Sequence, residues 1–104
     1  MLDNNTDQTE TIAISTENWI EFGKLPDQNL IYSLELEFSG LVTQDIEVSI
    51  GNNKAVNLHS IKLKKGTVDY VYLSDWYSDS CFVRINAERN TTDSLAVICR
   101  FLGD

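Results

Sequence analysis

The order of apolar and polar positions predicts strands along most of the chain. In Leu34-Glu35-Leu36-Glu37-Phe38 and in Ile46-Glu47-Val48-Ser49-Ile50, hydrophobes and polar groups alternate with a period of two. That period places one set on each face of a pleated strand, giving a sheet that is buried on one side and wet on the other. Thr11-Ile12-Ala13-Ile14-Ser15 alternates in the same way, and Trp19-Ile20-Glu21-Phe22 is a short aromatic run closed by Gly23. From Leu30 onward the phase places Tyr32, Leu34, Leu36 and Phe38 together.

Later segments continue the pattern. Val56 and Leu58 share a phase that slips at His59-Ser60 and resumes at Ile61 and Leu63, as an inserted bulge residue would cause. Residues 68–73 are rich in β-formers. Cys81, Val83, Ile85 and Ala87 mark another strand, and Leu95, Val97, Cys99 and Phe101 the last. Turn chemistry separates the runs at Pro26-Asp27-Gln28-Asn29, Gly51-Asn52-Asn53-Lys54 and Lys65-Gly66, with a polar loop at residues 88–93.

Seven or eight short strands with a turn every ten or so residues, and no helical period, predict one all-β sandwich of mostly antiparallel strands. Jelly-roll and immunoglobulin-like connectivities both fit. In general pattern the chain resembles small carbohydrate-binding and viral β-sandwich modules, and no motif names a family. The 104 residues fit one domain, residues 11–104, behind a loose polar tail at residues 1–10. At 42% apolar residues the composition is globular.

Charge is divided unevenly along the chain. The first 47 residues carry ten carboxylates and only Lys24 as a base; the remaining 57 carry six acids and seven bases. With a net charge of −8, nucleic acid and anionic membrane are disfavoured as direct partners, since both require cations to meet phosphate. Lys62-Leu63-Lys64-Lys65 is the sole basic run and reads as a strand end entering a turn. The start, Met1-Leu2-Asp3-Asn4, lacks the basic and apolar regions of a secretory signal, and no apolar run approaches bilayer length. A cytoplasmic or virion-associated location is therefore expected over a secreted one.

Little points to catalysis, to a cofactor or to a metal. His59 is the only histidine, and no nucleophile elbow, phosphate loop or zinc spacing is present. Asp75, Asp79 and the Asn52-Asn53 turn offer oxygen ligands without an EF-hand loop. Two segments stand out as contact sites. Ser74-Asp75-Trp76-Tyr77-Ser78-Asp79-Ser80 sets an aromatic pair among carboxylates and hydroxyls, as sugar platforms and protein anchors do, unless Trp76 tucks inward as a lid over the end of the sandwich and leaves Tyr77 as the exposed ring. If residues 30–38 and 45–51 pair as a hairpin, Glu35, Glu37, Asp45 and Glu47 form a four-carboxylate cluster. Cys81 and Cys99 face each other if the last two strands form a hairpin, as a disulfide or as two reduced core thiols.

The expected function is a non-catalytic interaction or assembly module of the accessory, inhibitory or virion kind. It meets a protein partner, basic in character, through the acidic face or the Trp76 loop. The alternatives are a carbohydrate-binding module stacking sugar on Trp76 and Tyr77 beside Asp75 and Asp79, and an acidic mimic of nucleic acid that blocks a nucleic-acid enzyme.

Overall fold

A computed structural model describes residues 7–14, 19–52, 59–89 and 91–103. Eight strands make up the described chain. They are β1 (Gln8–Ala13), β2 (Ile20–Gly23), β3 (Ile31–Val42), β4 (Ile46–Gly51), β5 (His59–Leu63), β6 (Gly66–Asp75), β7 (Ser80–Ala87) and β8 (Ser94–Gly103). They form two four-stranded antiparallel sheets, one in the order β1-β8-β3-β6 and the other β2-β7-β4-β5. Successive strands alternate between the sheets, except that β4 and β5 pair as neighbours in both chain and sheet. This two-sheet, eight-stranded winding is the jelly roll.

The apolar phases meet between the sheets. Leu34, Leu36 and Phe38 of β3 pack inward from one sheet, and Val48, Ile50 and Ile85 from the other, each essentially without exposure. Burial of two such faces is what makes each half-apolar sheet stable. The turn at Pro26-Asp27 closes with the Gln28 amide donating to the Leu25 carbonyl at 3.0 Å. At the β5–β6 reversal Gly66 takes a φ of 115°, a region open to glycine at little cost.

Several expectations are corrected. Gln8, Thr9 and Glu10 belong to β1, laddered to Cys99, Ile98 and Val97, rather than to a tail. Tyr32 is exposed and Ile31 is buried, because the β3–β8 register shifts between Ile31 and Ser33, so Tyr32 leaves the core phase of Leu34. No shift occurs at His59-Ser60, which pair regularly with Ile50 and Ser49; the segment 53–58 before them lies outside the described residues. The two hairpins are also absent. β3 pairs with β6 and β8 while β4 pairs with β5 and β7, so Glu35 and Glu37 lie in a different sheet from Glu47. Likewise β7 and β8 lie in opposite sheets. Cys81 and Cys99 still meet, as free buried thiols whose side chains contact each other across the sandwich.

Candidate functional site

The outer face of the β1-β8-β3-β6 sheet concentrates charge and exposed apolar surface. Arg100 points outward because its neighbours Cys99 and Phe101 occupy the buried phase of β8. Its Nε meets the Asp7 carboxylate at 2.6 Å, and its Nη1 meets Glu37 at 2.6 Å and also Glu35. Register explains the grouping: Glu35 is directly opposite Arg100, and Glu37 is one step along the same face, opposite Ile98. Asp7, then Glu37, hold the guanidinium above its already high ordinary pKa.

On the far side of β3 the same two glutamates meet hydrophobes. Glu35 lies opposite Leu73, and Glu37 opposite Val71. Leu73 is 63% exposed and Val71 51%, on β6, which is an edge strand of the sheet among the described residues. Asp69 and Asp75 share their outward phase, opposite Ser39 and Ser33. Leu41 extends the apolar surface along β3. The face is thus acidic and apolar together, with Arg100 as its central cation.

Sequence reading found Glu35 and Glu37 but missed Asp7, Arg100, Val71 and Leu73. The signal for the last two was legible, since Tyr70-Val71-Tyr72-Leu73 is apolar on both phases of one strand. Arg100 and Asp7 needed the β1–β8 pairing, which joins the two ends of the chain.

Asp45 and Glu47 sit elsewhere, at a groove of about 730 Å³ on the opposite sheet. Glu47 is flanked across the ladder by Lys62 and Asn86. The Asp45 carboxylate accepts the Lys65 backbone N–H at 2.9 Å. The β3–β4 loop is strapped to the β7–β8 loop: Gln44 donates to the Arg89 carbonyl at 2.9 Å and accepts its N–H at 3.1 Å. Asp93 accepts both the N–H and the hydroxyl of Thr43, at 2.8 and 2.7 Å, and these bonds lower its carboxyl pKa.

The aromatic pair divides. Trp76 is 3% exposed, and its indole N–H donates to the Ser80 carbonyl at 2.9 Å while its backbone N–H donates to Tyr32 at 3.1 Å. It closes the end of the core with almost no exposed surface, so the inward-tucked reading of Trp76 holds and its role as a stacking platform is corrected. Tyr77 is 78% exposed. Asp75, Trp76 and Tyr77 line a pocket of about 260 Å³ with Asn52, His59 and Ser78, and Asp79 is not part of its lining. The His59 ring stands edge-on to Tyr72 at 5.5 Å.

Among the described residues no group of three or more His, Cys, Asp or Glu side chains is placed to hold a metal ion. No helix among them is long and apolar enough to cross a membrane. No family model matches the chain, and no curated protein matches it. Among solved structures it is similar to the coat protein of Tobacco streak virus, at 12% identity and a TM-score of 0.44, over 99% of this chain and 91% of that one.

Proposed function

We propose that this jelly roll acts by binding and not by chemistry, as an interaction or assembly module whose contact surface is the outer face of the β1-β8-β3-β6 sheet. The observation that supports this most directly is the pairing of Glu35 with Leu73 and Glu37 with Val71 on one exposed face. An edge strand leaves a row of backbone groups unpaired, and proteins that keep such edges bare blunt them with charged side chains, proline or a bulge. On β6 the charges, Asp69 and Asp75, flank the stretch from Tyr70 to Leu73, which itself carries no charge, proline or bulge. Exposed apolar surface rimmed by charge marks a contact site. The carboxylates select a partner with basic groups around an apolar centre, and they repel the same face of another copy.

The test is recovery of the native complex from the source cell. A chain carrying Glu35→Gln, Glu37→Gln and Leu73→Asp is expected to lose the complex while still folding cooperatively, and salt is expected to release the unaltered chain. Retention of the complex by the altered chain, insensitive to salt, contradicts the proposal. A glycan reading rests on Tyr77 with Asp75, since Trp76 is in the core.

A further inference from the structure

We infer that the partner of the acidic sheet face is a second copy of this chain, received at the groove on the opposite sheet. This rests on the reading of that face as the contact surface and names what covers it. The groove is bordered by Lys62, Lys64, Lys65 and Arg89, which are four of the eight lysines and arginines in the chain. Among the described residues none of these four takes part in an ion pair. Their charge therefore faces outward.

The nearby carboxylates oppose this only in part. Asp45, whose carboxylate accepts the Lys65 backbone N–H, stands with Glu47 and Glu88 against the four cations, which leaves the groove a small positive excess. The sheet face has the reverse balance, with Asp7, Glu35, Glu37, Asp69 and Asp75 around Arg100. Opposite potentials on two surfaces of one molecule steer them together and penalise like-on-like contact.

Shape agrees with charge. Leu63 and Ala87 line the groove as half-buried apolar residues, a floor on which an exposed Leu73 loses water. The Gln44–Arg89 and Thr43–Asp93 bonds hold the walls, so little ordering is required on docking. Because the two surfaces differ and lie on opposite sheets, each copy has one of each to offer. Such a heterologous contact repeats, closing into a ring or growing as an open chain.

Sedimentation velocity across a concentration series, at about 0.1 M salt, tests this; the screening length of roughly 10 Å there damps the overall repulsion of like-charged copies. The unaltered chain is expected to grow beyond dimers with concentration and to return to monomer in about 1 M salt. Lys64→Glu with Lys65→Glu removes the groove, and Asp69→Lys with Leu73→Lys removes the face; all four side chains are exposed. Each altered chain alone is expected to stay monomeric. Mixed one to one, they retain one working groove and one working face, and are expected to associate where neither does alone.

If a reversed chain fails to fold, Lys64→Gln with Lys65→Gln, or Leu73→Gln, takes its place. An unaltered chain that stays monomeric throughout, or a mixture that forms no dimer, overturns the inference. If in addition the face-reversed chain still enters its native complex, the reading of the face falls with it; if that chain loses the complex, only the identity of the partner is wrong.

Discussion

Cys81 and Cys99 come from different sheets, yet their side chains contact one another in the middle of the sandwich. Both are fully buried free thiols. The contact between the two sulfurs and their burial push the Cys81 thiol far above its ordinary pKa, which suppresses the reactive thiolate. A disulfide-exchange reagent is therefore expected to label neither cysteine in the native protein at pH 8, and both after denaturation. Rapid labelling of the native chain contradicts this placement.

Trp76 and Tyr77 are adjacent in sequence and opposite in role. Trp76→Ala removes a core ring and its indole hydrogen bond to Ser80, for an expected loss of about 3–5 kcal/mol in chemical denaturation. Tyr77→Ala alters an exposed side chain and is expected to change stability by no more than about 0.5 kcal/mol. Equal costs at the two positions contradict the assignment of Trp76 to the core.

That division marks what was legible in sequence. Period-two alternation marked most of the strands, because each sheet buries one face, while β2 and β6 were read from aromatic and β-rich composition and the start of β1 was read as a tail. Strand partners were not legible, because alternation records which face is buried and nothing of which strand lies beside it. The four-carboxylate cluster failed for that reason: Glu37 and Glu47 belong to consecutive strands, and the jelly roll sends consecutive strands to opposite sheets. The same crossing separated Cys81 from Cys99 in the ladder, and the short distance between the sheets brought them back together. Tyr32 was misplaced because one register shift reverses the phase at the start of β3.

Arg100 is the cation on which the acidic face depends. Its ion pairs are partly exposed, so Arg100→Gln is expected to cost only about 1 kcal/mol. The substitution leaves Asp7, Glu35 and Glu37 repelling each other. Added salt screens that repulsion, so the gap in urea midpoint between altered and unaltered chains is expected to narrow from low to 1 M salt. A gap that widens with salt contradicts the electrostatic account.

Asp93 ties acid stability to the groove. Its carboxyl pKa is lowered in the folded state by the two bonds from Thr43. A lowered folded pKa contributes stability that is present above the ordinary carboxylate pKa and is lost as pH falls through the folded value. Asp93→Asn is therefore expected to be less stable than the unaltered chain at pH 7, and the two are expected to converge as pH drops below the ordinary carboxylate range. Parallel curves across that range contradict the assignment.

The outer face bearing Glu35, Glu37, Val71 and Leu73 is the proposed contact surface of this protein. A photo-cross-linking side chain in place of Val71, compared with one in place of Tyr77 on a chain otherwise unaltered, tests it most directly. In the native setting, irradiation is expected to give a covalent protein adduct from position 71 and none from position 77. An adduct from position 77, with position 71 left unmodified, would show that the loop end is the contact and contradict the account.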